Sequence, residues 1–132
     1  MSKATPRLRT PIRWYGGKHY LCRRIVQVMP PHEVYVEAYF GSGAVLFAKE
    51  PSPVEVANDL NDQLVNFFRV VRDDALRARL VALLDWTPYA RREFEECLKP
   101  LPTDADAVER ARRFFFLCRA SFSGTYLGKR HP

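Results

Sequence analysis

Between Tyr35 and Asp59 the chain passes from one apolar run through a Gly-Ser-Gly turn to a second apolar run, an order that restricts its folding more than any other stretch. Val34-Tyr35-Val36 predicts a short strand with Glu37 at its end, and Gly41-Ser42-Gly43 a turn. Ala44 to Lys49 then predicts a short helix bounded by Pro51 and Pro53, and Val54-Glu55-Val56-Ala57 a second strand closed by Asn58-Asp59. Strands joined in this way run parallel, and parallel sheets are stable only with both faces covered. Two strands do not make such a sheet, so the expectation is an α/β fold whose sheet is incomplete within these residues.

The other segments read as helices. Leu21, Ile25, Val28 and Met29 predict one from about His19 to Met29, stopped by Pro30-Pro31. Leu60, Leu64, Phe67, Phe68 and Val71 mark another with one buried face. Asp73 is placed to cap the next, whose apolar positions are Leu76, Leu80, Leu83 and Leu84. Thr87-Pro88 predicts the start of a short helix to about Leu98, and a longer one is expected from Asp104 to about Arg119. Gly16-Gly17 interrupts any regular element near the N-terminus.

At 132 residues, 47% of them apolar and 27% charged, the chain has the composition of a soluble globular domain. It has no apolar run of the ~20 residues needed to cross a bilayer, and the basic start lacks the hydrophobic segment of a secretory signal, so the expected location is cytoplasmic. Cys22, Cys97 and Cys118 are widely spaced and odd in number, which suits a reducing compartment and offers no zinc site. A formal charge of +6 favours a polyanionic partner without establishing one. Arg7, Arg9, Arg13 and Lys18 gather towards one end, and Arg119, Lys129 and Arg130 towards the other.

Gly41 and Gly43 would let backbone amides approach a ligand closely, although Gly-x-Gly also occurs in ordinary turns. Glu37 and Asp59 each sit just past a strand, at the carboxyl ends where open α/β sheets bind ligands. Asp59 follows Gly41 at close to the ~20-residue offset of an acid that accepts from ribose hydroxyls; the alternative for it is a helix cap shared with Asn58 and Asn61. Leu46 stands where a dinucleotide fingerprint needs glycine, and Gly16-Gly17-Lys18-His19 lacks the flanking residues of a phosphate loop. A cofactor with adenosine but no phosphate fits these acids best.

Trp14-Tyr15-Gly16-Gly17-Lys18, Val36-Glu37-Ala38-Tyr39-Phe40-Gly41-Ser42-Gly43-Ala44 and Asn58-Asp59-Leu60-Asn61, in this order, resemble the Dam-like, D12-class adenine-specific DNA methyltransferases. The resemblance runs from about Ile12 through Gly124 and includes Thr87-Pro88-Tyr89 and the block Phe116 to Gly124. It implies a Rossmann-like methyltransferase fold, of which this is the N-terminal part, and methyl transfer from S-adenosylmethionine to adenine N6 in double-stranded DNA. By resemblance Trp14, Lys18, Glu37, Phe40, Gly41, Gly43 and Asp59 hold the cofactor, and Arg119, Ser121, Phe122, Ser123 and Gly124 face DNA. The implied parts are a basic arm over 1–12, a cofactor-binding part over 13–72, a helical segment over 73–120 and the start of a target-recognition region over 121–132. A cognate restriction endonuclease is the implied companion, with no metal and no membrane.

Two departures are local: Ala38 replaces the family's proline, and Cys118 its asparagine. A third is larger, because the 132 residues contain no Asp-Pro-Pro-Tyr, the motif that orients the target amino group. The expectation is therefore either the N-terminal part of a longer enzyme or a truncated product, inactive by itself, with no catalytic residue of its own; the alternative is a non-catalytic remnant that binds cofactor or DNA.

Overall fold

Val34 to Glu37 and Val54 to Ala57 do pair, in parallel, with Val34 opposite Val54 and Glu37 opposite Ala57. The computed structural model describes residues 8–122. Among them the elements are α1 (Cys22–Val28), β1 (Val34–Glu37), β2 (Val54–Ala57), α2 (Asp62–Arg72), α3 (Asp74–Asp85), α4 (Arg91–Leu98) and α5 (Ala107–Ala120). The fold is mixed α/β with a two-stranded open sheet. The chain forms two compact units, one built on residues 16–59 and the other joining 12–15 to the stretch from Leu60 onward.

In the first unit α1 and the turn after the glycines enclose a small apolar cluster. Cys22, Ala44 and Val45 form its centre, with Ile25, Val26, Met29 and Tyr35 against it. The register places Val34, Val36, Val54 and Val56 together on one face of the sheet, because side chains alternate along each strand. All four are exposed.

The segment 44–49 is not the expected helix. Its hydrogen bonds mix spacings, Phe47 N–H to Gly43 O at 2.9 Å and Lys49 N–H to Val45 O at 3.1 Å beside Ala48 N–H to Val45 O at 3.0 Å. Six residues ahead of two prolines do not repay helix nucleation, and the Lys49 side chain turns to residues 50–55.

The second unit is helical and dry at its centre. Leu64, Phe67 and Val70 of α2 and Val108, Ala111, Phe114, Leu117 and Cys118 of α5 are buried. Phe67 has the rings of Phe68, Phe114 and Phe115 at centroid distances of 5.4, 5.7 and 6.0 Å. Caps define the helix starts: Asn61 Oδ1 accepts from Gln63 N–H and Leu64 N–H, Asp73 from Leu76 N–H, and Asp106 from Glu109 N–H.

Thr87 is not the expected cap, since its hydroxyl donates back to Leu83 O at 2.7 Å. α4 starts instead after Ala90, without a side-chain cap. α5 begins at Ala107, later than expected, because Asp106 and not Asp104 caps it.

Candidate cofactor site

Pairing continues past the regular ends of the two strands. Asn58 N–H donates to Glu37 O and Phe40 N–H donates to Asn58 O, both at 2.9 Å, while Asn58 Nδ2 reaches Ala38 O at 3.2 Å. These bonds hold the loop 38–43 against the carboxyl end of β2, where Asp59 follows. Gly41 N–H donates to Asp59 Oδ2 at 2.9 Å. Asp59 is therefore bound to the glycine turn, and Asn61 caps α2.

Both turn glycines are left-handed, with φ of 55° at Gly41 and 75° at Gly43. At Gly43 space is restricted as well: a Cβ would stand 2.6 Å from the tip of the Phe40 ring and 2.7 Å from Phe47. Phe40 is buried with its ring edge-on to Phe47, so it props the loop from beneath.

Glu37 is almost fully buried, at 6% exposure. Tyr35 hydroxyl donates to Oε2 at 3.0 Å. Lys18 Nζ lies 3.0 Å from Oε1 but directs its hydrogen bond to Tyr39 O at 2.7 Å. Oε1 is left buried without a hydrogen bond, next to the glycine turn. A buried carboxylate oxygen that is ion-paired but accepts no aligned hydrogen bond keeps lone-pair capacity for a further N–H group. Burial, followed by the Glu37 charge, raises the Tyr35 phenol far above its usual pKa, which keeps it a hydrogen-bond donor.

Trp14 belongs to the other compact unit, where its ring lies 6.1 Å from that of Phe114. Lys18, Glu37, Phe40, Gly41, Gly43 and Asp59 all belong to the first. Of the residues expected to face DNA, Arg119 is exposed at the end of α5 and Phe122 is 88% exposed. Ser121 ends the helix with its Oγ buried and unbonded. Ser123 and Gly124 lie outside the described residues. Cys118 is wholly buried, and burial pushes its thiol up to about 12.

One cluster has no counterpart in the expected site. At the opposite ends of the strands, the buried Lys49 ammonium pairs with Glu55, donates to Ser52 Oγ at 2.7 Å and Glu50 O at 2.8 Å, and lies 4.7 Å above the Tyr35 ring. Ser52 Oγ in turn is 2.8 Å from His32 Nε2. The Lys49 hydrogen bond holds the Glu55 carboxyl below its usual range. The only sequence signal for this cluster was a lysine between apolar residues and prolines. Among the described residues no helix is long and apolar enough to cross a membrane, and no three His, Cys, Asp or Glu side chains gather as metal donors.

Residues 14–131 match the family described as D12 class N6 adenine-specific DNA methyltransferase. A type II methyltransferase of Lactococcus lactis subsp. cremoris is 33% identical over 128 residues, which cover 90% of this chain and 43% of that protein. A type II methyltransferase of Methanocaldococcus jannaschii is 28% identical over 134 residues, 87% of this chain and 46% of the relative. The DNA adenine methylase of Salmonella typhimurium is 28% identical over 122 residues, 86% of this chain and 41% of the relative. The chain thus spans less than half the length of these relatives. It belongs to the D12 class of N6-adenine-specific DNA methyltransferases.

Proposed function

We propose that residues 16–59 hold S-adenosylmethionine for methylation of adenine N6 in double-stranded DNA. The observation that carries this reading is the buried Glu37 Oε1, without a hydrogen bond beside two left-handed glycines. The donor set suits that cofactor: a carboxylate oxygen for its amino group and Asp59 for the ribose hydroxyls. S-adenosylmethionine would supply a methyl group already activated on a sulfonium. The chain's own part is positional. Gly41 N–H fixes the Asp59 carboxylate, Lys18 balances the buried Glu37 charge, and Phe40 sets the height of the turn.

Arg119, Ser121 and Phe122, with Ser123 and Gly124 beyond the described residues, are the proposed DNA-facing segment. The basic charge of +6 supports it. We place the protein in the cytoplasm, with a restriction endonuclease of matching specificity as its companion.

Because the 132 residues contain no Asp-Pro-Pro-Tyr, we infer that this chain alone binds cofactor and transfers no methyl group. Calorimetry with S-adenosylmethionine should show binding by the wild type, at least tenfold weaker binding by Asp59→Ala and by Glu37→Gln, and no label transferred to DNA. Equal heats from all three proteins would refute the cofactor assignment, and transfer of label would refute the inactivity.

A further inference from the structure

The second unit contains a cavity of about 310 Å³ lined by Arg13, Leu84, Thr87, Tyr89, Phe115, Phe116 and Arg119. All seven residues belong to that unit, so none comes from the stretch that carries Gly41 and Asp59. We propose that this cavity holds a single nucleotide, its base against the aromatic wall and its phosphate between Arg13 and Arg119. This rests on the reading of the chain as DNA-binding and names a contact within it, separate from the cofactor turn.

Three observations select that ligand class. The wall is aromatic and firmly seated: the Phe115 ring stacks on the buried Phe67 at an interplanar angle of 19°, and Tyr89 lies 5.8 Å from Phe116. Flat aromatic faces of this kind accept any nucleobase by stacking. The lining contains two guanidinium groups and no carboxylate, and among the described residues neither Arg13 nor Arg119 is paired with an acid. Guanidinium forks match phosphate oxygens and repel a cationic ligand. Arg112, by contrast, is committed to Glu93 and Glu109.

Size is the third. The volume lies at the small end of the ~300–1,000 Å³ range of ligand pockets. One nucleotide fits such a space, whereas a stacked base pair does not. The wall's hydroxyls are already engaged, Thr87 Oγ1 with Leu83 O and Tyr89 with Arg119 O at 3.5 Å, so they favour shape and charge over base identity.

Such a nucleotide has two sources, an unpaired position in DNA or a free mononucleotide. The test uses the full chain with three probes: a fully paired duplex, the same duplex with one bulged 2-aminopurine, and free 2-aminopurine deoxynucleoside 5′-monophosphate. The expected result is about tenfold tighter binding of the bulged duplex than of the paired one, with its fluorescence quenched on binding. Tyr89→Leu should abolish both the preference and the quench, and Tyr89→Phe should retain them. Tyr89 is 75% exposed, so neither change threatens folding. Arg119→Ala should weaken the bulged duplex and the monophosphate alike.

Quenching of the monophosphate without binding of either duplex would support the cavity with a free nucleotide as its source, and would refute the DNA reading. Equal binding of paired and bulged duplex without quenching would overturn the cavity and leave the DNA reading intact. Quenching that persists unchanged in Tyr89→Leu would also overturn it.

Discussion

The two compact units handle burial in opposite ways. All three side chains recorded as buried and polar or charged among the described residues, Glu37, Ser42 and Lys49, fall within 16–59. The other unit buries Leu64, Phe67, Val70, Leu80, Val108, Phe114 and Leu117, and keeps its ion pairs at the margin. Burying a charge is expensive unless a partner is provided. A unit that buries such groups must supply each of them with partners, and one that excludes them gains rigidity from packing alone.

The largest expected effect tests the dry side of that contrast. Phe67→Ala removes a ring in contact with three others and should cost about 3–5 kcal/mol in urea unfolding. Amide exchange should accelerate first over 62–120. Equal acceleration over 16–59 would show the two units melting as one and remove the contrast.

Next is Gly43→Ala, which combines a left-handed backbone with a Cβ placed against Phe40 and Phe47. It should cost roughly 2–4 kcal/mol and deprotect the amides of 40–49. A tolerant protein would mean that the Phe40 ring is not the fixed prop described.

Arg112→Met should cost about 1–3 kcal/mol, because Glu93 and Glu109 both lose a partly buried partner. It also makes a prediction in pH. The Arg112 hydrogen bond holds the Glu109 carboxyl below its ordinary 4.5. A depressed carboxyl contributes stability above its unfolded value and loses it as the pH falls through the folded one. Unfolding curves of the wild type should therefore decline on the acid side of 4.5, and the variant should show less of that decline.

The smallest effect is expected on the open sheet. Val36 and Val56 are 60% and 45% exposed, so Val36→Thr and Val56→Thr should each change stability by less than about 0.5 kcal/mol and reduce self-association in sedimentation. A loss above about 1 kcal/mol would mean that the face is covered in solution.

Much of this was legible in the chain, and the reasons for the remainder are physical. Val-x-Val at 34–36 and 54–56 reveals both strands because alternation is local, and Asp73 reveals its cap because a cap reaches only three residues ahead. The offset between Gly41 and Asp59 was read as that of a ribose-binding acid, and the hydrogen bond between the two was not foreseen. The 44–49 segment was misread because helical spacing over six residues resembles a hydrogen-bonded turn. The packing of Phe40 against Phe47 is invisible in a motif. The cavity was not legible, since Arg13, Tyr89 and Arg119 are brought together only by tertiary packing and no periodicity links them.

The register of the parallel pair also bears on the order of events during synthesis. Every partner in the sheet, from Val34 with Val54 to Glu37 with Ala57, lies within one modest loop of its mate, and so does Asp59 of Gly41. Closing such a loop costs little entropy. The helical unit has to wait longer: Asn66 finds its acceptor, Ala107 O, 41 positions downstream. On a ribosome that releases the N-terminal part first, the glycine turn is shaped while the aromatic core that follows is still being made.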